Sequence, residues 1–354
     1  MGVQPTIEVE NVKASMITRP GMAGRIAVIG AFDSTETEPI NCGGLREAYI
    51  KLGEDTTYAG VSCLDKLFNK NGGASSILAM NITTKSGSGG EEVIQKEITT
   101  EKLTNALKKI KGENFDMLFV AGALEDAALR IVETFLEESA AMKKPVGFVA
   151  PISRVTAAAY TTTVNLLGDE LYGIITQQFT VDDEIYTLVD SAAYYAGLVA
   201  GMNVSSSMTM KRVPGVTEIS PAYTFENGDL GDTLVKMGVT VVRCNDRLNQ
   251  SYIVVNSEQP NGLDLYINRV RDYVVKSFAL EDFLGEKSKP VTITGIKSEL
   301  EKVKKQCVDS ADLLEDIRYE VEKVSAECVE VYIDSLVFAG IITKIKVFVK
   351  VEVE

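Results

Sequence analysis

The 354-residue sequence contains no histidine and no tryptophan, and its 5 cysteines lie far apart. Without an imidazole, the chain cannot form a Ser-His-Asp triad, a Cys-His nucleophile pair or a histidine proton shuttle. The same absence excludes the HExxH type of zinc site. No CxxC pair occurs, so neither a zinc knuckle nor a dithiol redox site is indicated. These absences disfavour most side-chain acid–base and metal chemistry.

Acidic side chains outnumber basic ones, with 50 Asp and Glu against 36 Lys and Arg, which gives a formal net charge of −14. A surface that binds nucleic acid needs clustered basic charge, so this balance argues against a nucleic-acid partner. The chain has no unbroken apolar run of the length that a membrane-spanning helix requires. Glu8 and Glu10 occupy the region where a secretory signal would need an apolar run. The sequence therefore predicts an acidic protein, made in the cytosol, with no membrane insertion.

The length favours roughly two domains of about 150 residues each, and the first half alternates apolar runs with helical patterns. Short apolar runs bounded by Gly, Pro or Asp are typical of strands buried on both faces of a parallel sheet. They occupy residues 24–31, 76–83, 116–122 and 145–151. Apolar residues from Ala128 to Leu136 have the spacing of an amphipathic helix. We therefore predict an open α/β domain with helices on both faces of its sheet.

The second half has a more mixed pattern. Small residues at 194–202 predict one helix, and the segment LDLYINRVRDYVVKSF at 263–278 predicts another. Ser298, followed three residues later by Glu301, has the spacing of a capping box, so we predict that a long helix begins there. Apolar residues at three- and four-residue steps extend that helix as far as Val324. These features predict a smaller α+β domain after the α/β domain.

The glycine-rich and acidic clusters do not match known ligand motifs. The segments SGSGG (86–90) and NKNGG (69–73) lack the GxGxxG spacing of a dinucleotide site. The acidic cluster DDE (182–184) lacks the spaced ligands of a calcium loop. We therefore predict no catalytic residue, no cofactor and no metal site. The alternative is a cytosolic α/β enzyme or small-ligand-binding protein that uses the crevice at the carboxyl ends of the strands.

Both terminal segments alternate apolar and polar residues, as a strand with two unlike faces does. The C-terminal segment TKIKVFVKVEVE (343–354) places five β-branched residues on one face, and the opposite face is mostly charged. The N-terminal segment has a shorter alternation of the same kind. The pattern fits either a strand of the protein's own sheet or an arm that adds to a neighbouring subunit's sheet. The apolar arm residues are Ile7, Val9, Ile345, Val347, Val349, Val351 and Val353.

Three segments taken together resemble contractile phage tail sheath proteins. They are YAGLVAGMNVSSSMTMKRVPGVT (195–217), LGDTLVKMGVTVVR (230–243) and IITKIKVFVKVEVE (341–354). The resemblance is greatest to the short sheaths of Gram-positive myophages and of R-type phage-tail-like bacteriocins. It covers residues 195–354 well, and the α/β domain mainly in the order of its elements.

The resemblance implies an α/β plus α+β fold. In this fold an open α/β sheet domain is inserted beside a smaller mixed C-terminal domain, and extended β-strand arms occur at both termini. We expect an N-terminal arm at 1–20, an outer α/β domain at 21–215, an inner sheath domain at 216–342 and a C-terminal arm at 343–354. The arms are expected to complete sheets in adjacent subunits and to keep the subunits connected during contraction.

The resemblance also implies a structural, non-enzymatic function. Stacked hexameric rings would form a metastable helical polymer around an inner tail tube and contract to drive the tube through a target cell envelope. The implied partners are further copies of the chain, the inner tail tube protein, and baseplate and tail terminator proteins. The particle would be a phage tail or a bacteriocin, assembled in the host cytoplasm and released on lysis. Candidates for contact with the tube are Arg269, Arg271 and Lys276, on the helix at 263–278.

Overall fold

The computed structural model describes most of the chain. The described residues are 24–86, 93–154, 156–167, 170–245, 251–278, 280–283, 286, 289–325 and 328–339. The two predicted arms lie outside these residues. So do the residues proposed to form them, namely Ile7, Val9, Ile345, Val347, Val349, Val351 and Val353.

Strands and helices alternate through the first part of the described chain, and small sheets follow. The strands are β1 (Arg25–Gly30), β2 (Ile40–Cys42), β3 (Ser76–Asn81), β4 (Thr84–Ser86), β5 (Val93–Gln95), β6 (Met117–Val120), β7 (Gly147–Pro151), β8 (Leu171–Ile175), β9 (Gln178–Val181), β10 (Glu184–Ile185), β11 (Val216–Ser220), β12 (Val242–Asn245), β13 (Ser251–Val254), β14 (Asp316–Lys323) and β15 (Val329–Val337). The α-helices are α1 (Leu45–Leu52), α2 (Ala59–Ser62), α3 (Leu64–Leu67), α4 (Thr100–Ile110), α5 (Asp126–Ala141), α6 (Ala157–Leu167), α7 (Leu188–Gly201), α8 (Leu230–Lys236), α9 (Leu265–Ser277) and α10 (Pro290–Lys305).

The main sheet contains six strands in the order β2-β3-β1-β6-β7-β8. The short edge strand β2 is antiparallel to β3, and the other five strands are parallel. Every residue of β6, β7 and β8 is buried, which explains why their sequences are continuous apolar runs. The four strands expected from such runs are confirmed as β1, β3, β6 and β7. The amphipathic helix expected at 128–136 is confirmed as part of α5.

Helix α7 is buried along most of its length and packs on the loop that follows α3. Its start is fixed by a capping box in which Thr187 and Asp190 each bond the other's backbone. A side chain at Gly197 would collide with the end of α3, and one at Gly201 with this loop, since an added Cβ would lie 2.5 Å from the Leu67 carbonyl oxygen and 1.8 Å from the Gly72 carbonyl oxygen, respectively. The small residues of this helix therefore permit a close approach of two backbones.

Two hydrophobic clusters form the interior. The larger one contains residues of the main sheet and of α7 and extends along the chain as far as Leu265. It therefore includes residues on both sides of position 215, where the outer domain is expected to end. The smaller one joins α9, α10 and β14 through residues such as Val270, Val303 and Ile317. Helix α9, which confirms the helix expected at 263–278, contributes to both clusters.

The long helix expected from Ser298 to Val324 is wrong at both ends. Helix α10 begins at Pro290, a residue well suited to the first helical position, and Ser298 lies inside it. The helix ends in a π-helical turn at Gln306–Ser310, and residues 316–323 form the strand β14 instead. Ile317 and Val321 are four residues apart, which fits a helix, but they are also separated by two steps of a strand alternation. Pairing of β14 with β15 decides between these two periods.

Candidate assembly surface

The hairpin of β14 and β15 forms a two-stranded antiparallel sheet, with pairing from Asp316–Val337 to Lys323–Val329. The part of the chain that the structure describes supplies no third strand to this sheet. The outer edge of residues 317–322 therefore has no neighbouring strand among the described residues. An edge of this kind offers backbone N–H and C=O groups to a strand from elsewhere.

The two faces of the hairpin differ in chemistry, because directly opposed residues of an antiparallel pair lie on the same face. One face is apolar and is formed by the pairs Ile317–Leu336, Tyr319–Ile333 and Val321–Val331. The other face is polar and mainly acidic, and is formed by the pairs Arg318–Ser335, Glu320–Tyr332 and Glu322–Glu330. A strand added to this sheet would need one apolar face and one polar face to match it.

The base of the hairpin is anchored to α9. The ring of Phe338 packs edge-to-face against Tyr266, with ring centroids 5.8 Å apart. The Tyr266 hydroxyl also donates a hydrogen bond to the backbone carbonyl of Ala339. The half of the apolar face that is farther from α9 is more accessible to solvent, since Ile333 is 37% exposed. The chain therefore leaves β15 from a point held on α9, and the hairpin extends away from that point.

A groove of about 770 Å³ separates α10 from β14. Lys297, Glu301 and Lys304 line it from α10, and residues 317–322 line it from β14. The Lys304 ammonium lies 2.6 Å from a carboxylate oxygen of Asp316 and bridges the two elements. Its hydrogen bond lowers the pKa of Asp316. The groove is thus bordered by α10 on one side and by the outer edge of β14 on the other.

The crevice that an α/β ligand-binding protein would use lies at the carboxyl ends of β1 and β6, where the winding of the main sheet reverses. The protein's own residues fill it. Gly60 of α2 donates its N–H to the Ala31 carbonyl at 2.9 Å, and Phe32 is fully buried. On the other side, Ile98 packs so closely on Gly122 that an added Cβ would lie 2.4 Å from its Cδ1 atom.

Polar groups beside this crevice form hydrogen bonds across the turn that follows β1. The Asn81 side-chain oxygen accepts hydrogen bonds from the backbone N–H groups of Phe32, at 3.1 Å, and Thr83, at 2.9 Å. The Thr83 hydroxyl donates to the Phe32 carbonyl at 2.9 Å. These groups satisfy each other, so the geometry does not favour the enzyme or ligand-binding alternative.

The described residues also lack a metal-binding cluster and a membrane-spanning helix. They contain no group of three or more cysteine or acidic side chains placed to hold a metal ion. Among the same residues, no helix is both long enough and apolar enough to cross a membrane.

Residues 96–256 match the family model of the phage tail sheath protein central domain. This part of the chain, less than half of it, is therefore similar to a tail sheath central domain. The matched range begins just after β5 and ends just after β13, so it contains α7 and three of the six strands of the main sheet, namely β6, β7 and β8. The hairpin lies outside it. No curated protein matches the sequence.

Solved structures with the same fold extend the likeness over the whole chain. The sheath tail protein from Desulfitobacterium hafniense aligns with a TM-score of 0.64 at 12% identity, over 91% of this chain and 93% of that one. A chain of the anti-feeding prophage baseplate aligns with a TM-score of 0.66 at 11% identity, over 100% of both. The helical sheath of the anti-feeding prophage in its contracted state aligns with a TM-score of 0.63 at 12% identity, over 97% of this chain and 99% of that one. At such identities the likeness shows the fold, and with the domain match it supports a structural role in a contractile tail sheath.

In this sheath fold, Arg269 is buried rather than exposed. Its side chain is 2% exposed, and its guanidinium donates to the backbone carbonyls of Met202, at 3.1 Å, and Asn203, at 3.0 Å. These carbonyls lie at the C-terminal end of α7, where the helix dipole favours a positive charge. Desolvation lowers the pKa of this guanidinium. The Arg269 side chain is therefore directed inward, toward the carbonyls that follow α7. Its contact with an inner tube stays a prediction.

Arg271 and Lys276 lie at the junction between α9 and the main sheet. Arg271 contacts a carboxylate oxygen of Glu170, just before β8, at 2.7 Å. Lys276 contacts a carboxylate oxygen of Asp116, just before β6, at 3.2 Å. Both side chains are partly buried, and both link α9 to the starting edge of the sheet. A contact of either residue with an inner tube remains a prediction.

Sequence reasoning missed the hairpin residues that form the candidate assembly surface. The signal was present in the segments DIRYEVEK (316–323) and VEVYIDSLV (329–337), each of which contains an alternation of apolar and polar residues. Apolar residues before and within the first segment also have three- and four-residue spacing, and this spacing predicted a helix instead of a strand. The bulge between Arg318 and Tyr319, opposite Asp334, also breaks the period.

Proposed function

We propose that this chain is the structural subunit of a contractile tail sheath, in which arms from neighbouring copies add strands to the hairpin of β14 and β15. The observation that carries the proposal is this two-stranded sheet, with an outer edge beside an open groove, in a chain with the sheath fold. Hexameric rings of the subunit stack around an inner tail tube. Their contraction drives the tube through a target cell envelope.

Strand addition provides a suitable bond between copies of an acidic protein. Backbone hydrogen bonds supply affinity that does not depend on side-chain charge, and the apolar face of the added strand fixes its register. The twelve residues at 343–354 would reach about 40 Å if extended, at about 3.3 Å per residue. An arm on one copy and an acceptor on the next make a head-to-tail contact, which generates rings or helices rather than closed pairs.

In this proposal each part of the chain has a distinct role. Residues 21–215 form the outer domain, residues 216–342 form the inner domain with the acceptor hairpin, and residues 1–20 and 343–354 are the arms. The partners are other copies of the chain, the inner tail tube protein, and baseplate and terminator proteins of a phage tail or bacteriocin. The likeness to chains of a helical sheath and of a baseplate supports this assignment.

Deletion of residues 343–354 tests the proposal. The truncated protein is expected to remain folded, with an unchanged circular dichroism spectrum, but to form no long tubes by negative-stain electron microscopy. The full chain is expected to form hollow striated cylinders. A matched control carries the same twelve residues in a scrambled order without alternation, and it should behave as the deletion does. Normal tubes from either variant would show that the arm is not required.

A further inference from the structure

We infer that Asn227 is a site of spontaneous chemical modification, at which the side-chain amide is lost as ammonia and the link to Gly228 is rearranged. The reaction takes place within the chain and needs only water. The structure favours Asn227 over the two other asparagines that precede a glycine, Asn71 and Asn261. The inference concerns the chemistry of the subunit and does not depend on the proposed function.

The reaction begins when the backbone nitrogen of the glycine attacks the side-chain carbonyl carbon of the asparagine. A bond forms between these two atoms, the bond from that carbon to the amide nitrogen breaks, and the amide leaves as ammonia with the proton of the glycine N–H. Water then opens the resulting succinimide ring at one of its two carbonyls, which yields aspartate or isoaspartate. Glycine favours ring closure, because it has no Cβ in the way and accepts most backbone angles. Asparagine side chains are among the thermally labile groups of proteins.

Asn227 and Gly228 are the two central residues of an exposed turn before α8. The Asp229 N–H donates to the Glu226 carbonyl at 2.9 Å and closes the turn. Gly228 has a φ of +95°, as the second central residue of a type II turn does, and a Cβ added there would contact nothing within 4 Å. No described residue forms a hydrogen bond with the Asn227 side chain. The side chain can therefore rotate toward the glycine nitrogen without losing a hydrogen bond.

The Gly228 N–H faces a carboxylate. It donates to an oxygen of Asp232 at 3.4 Å, which is longer than an ordinary hydrogen bond. Lys236 lies 2.6 Å from the same oxygen, and its hydrogen bond lowers the pKa of Asp232, so the carboxylate is ionised at neutral pH. An ionised carboxylate can accept the N–H proton that must leave as the ring closes. The contact therefore polarises the glycine nitrogen without holding it in place.

The Asn71 pair is held by its surroundings. The Asn71 side-chain nitrogen donates to the Tyr194 hydroxyl at 2.8 Å, and that hydroxyl donates to the Pro214 carbonyl at 2.6 Å. The carbonyl of Gly72 packs against α7 so closely that a side chain at Gly201 would collide with it. Rotation of this pair into the reactive geometry would break these contacts.

The Asn261 pair is held at both reacting groups. The Asn261 side-chain nitrogen donates to the Asn268 side-chain oxygen at 3.1 Å, and its own oxygen accepts a hydrogen bond from the Leu263 N–H at 3.0 Å. The attacking nitrogen is bonded as well, since the Gly262 N–H donates to the Gln259 carbonyl at 2.8 Å. Ring closure here would require the loss of hydrogen bonds that Asn227 does not have.

Either product at residue 227 would alter the start of α8. Aspartate adds a negative charge two residues before Asp229, the N-cap of that helix. Isoaspartate inserts an extra methylene into the main chain, inside a turn in which the Glu226 N–H also donates to the Asp229 carboxylate at 3.1 Å. Leu234 of α8 is fully buried in the larger cluster. The modification would therefore act on the turn from which a helix enters the core.

Peptide mapping tests the selectivity. The purified full-length subunit is kept in mildly alkaline buffer, sampled over time and digested, and electron-transfer mass spectrometry distinguishes isoaspartate from aspartate. Modification at residue 227 is expected to be roughly tenfold faster, or more, than at residue 71 or 261. A tenfold difference in rate corresponds to about 1.4 kcal/mol, close to the net value of one hydrogen bond that must be broken at each of those positions. An equal or slower rate at residue 227 would overturn the inference.

Denaturation separates the effect of the fold from that of the local sequence. In concentrated urea the three pairs should react at similar rates, because each is then an unconstrained Asn-Gly pair. If residue 227 kept its full advantage in urea, the sequence around it rather than the structure would be the cause, and the inference would be wrong.

Ammonia release from the folded protein provides an independent readout. Asn227→Gln should remove most of it, since ring closure from the longer side chain is much slower. Asn105→Gln is the matched control, because Asn105 is exposed on α4 and precedes an alanine, and it should leave the release unchanged. Unchanged release in Asn227→Gln would show that the reaction occurs elsewhere in the chain and would refute the assignment.

Discussion

The hydroxyl of Tyr172 donates a 2.8 Å hydrogen bond to a carboxylate oxygen of Asp272, joining strand β8 to helix α9 in the interior. Burial raises the pKa of Tyr172, so its hydroxyl remains protonated and able to donate. Asp272 also accepts a 2.9 Å hydrogen bond from Arg271, which in turn contacts Glu170. This polar network fastens α9 to the main sheet, while most of the buried apolar residues of α9 belong to the smaller cluster.

The substitution Tyr172→Phe is expected to lower the free energy of unfolding by about 1–3 kcal/mol, because the buried Asp272 carboxylate loses a donor. Chemical denaturation of the purified subunit measures the effect. Tyr319→Phe is the matched control, since it removes a hydroxyl that bonds the exposed Glu301, and we expect a loss of less than about 1 kcal/mol. Equal losses for the two variants would contradict the role given to the buried network.

The Lys304–Asp316 pair should make the attachment of the hairpin to α10 sensitive to acid. The hydrogen bond from Lys304 lowers the pKa of Asp316 below its ordinary value of 3.8. The stabilisation is therefore complete above about pH 4 and is lost as the pH falls through the folded-state pKa. Wild type should be more stable than Asp316→Asn at pH 7, and the difference should disappear in strong acid.

A second ion pair controls for the general effect of acid on the protein. Glu47 and Lys51 on α1 are 2.6 Å apart, and this contact also lowers the pKa of Glu47. Glu47→Gln should change stability only slightly and should leave tube assembly unchanged, since the main contacts of α1 are with β2 and α3. Loss of assembly in Glu47→Gln would mean that assembly responds to the overall stability of the subunit rather than to the groove.

Two adjacent positions in the arm are expected to differ sharply in their effects. Val349→Asp puts a charge on the apolar face of the added strand and should abolish tubes, because an unpaired charge is costly to bury. Lys350→Glu changes the opposite, polar face and should weaken assembly less. Electron microscopy and sedimentation of the two variants measure the difference. Equal effects would mean that the two faces of the arm have been assigned incorrectly.

Salt is expected to promote assembly. Each subunit carries a formal net charge of −14, so neighbouring subunits repel one another at low ionic strength. At about 0.15 M salt the screening length falls to about 8 Å, which weakens this repulsion but leaves backbone hydrogen bonds intact. Light scattering during a salt titration measures the change. Strong inhibition of assembly by added salt would indicate that ion pairs, rather than strand pairing, hold the subunits together.

The parallel core of the fold could be predicted from the sequence, because strands buried on both faces have no polar residues to interrupt them. The runs that became β6 and β7 are examples. The helix α5 could be predicted for the complementary reason, since one buried stripe leaves a 3.6-residue period. Such patterns depend on residues that are close together in the sequence, so they can be recognised without knowledge of contacts with the rest of the chain.

The candidate assembly surface could not be predicted, because its features depend on contacts between distant residues. Ile317 and Val321 fit both a helix and a strand, and only the partner strand β15 distinguishes the two. Arg269 fits an exposed helix face, and only the carbonyls of Met202 and Asn203, which follow α7 more than sixty residues earlier, reveal that it is buried. In both cases the deciding partner lies in another element.

The anchoring of Ala339 by Tyr266 also defines a path for mechanical load. Tension on the C-terminal arm would enter the subunit at this hydrogen bond and the adjacent aromatic contact with Phe338. From α9 it would pass through Asp272 to Tyr172, and so into the main sheet. If the arm joins a second copy as proposed, a displacement of that copy would therefore pull on the main sheet through these contacts.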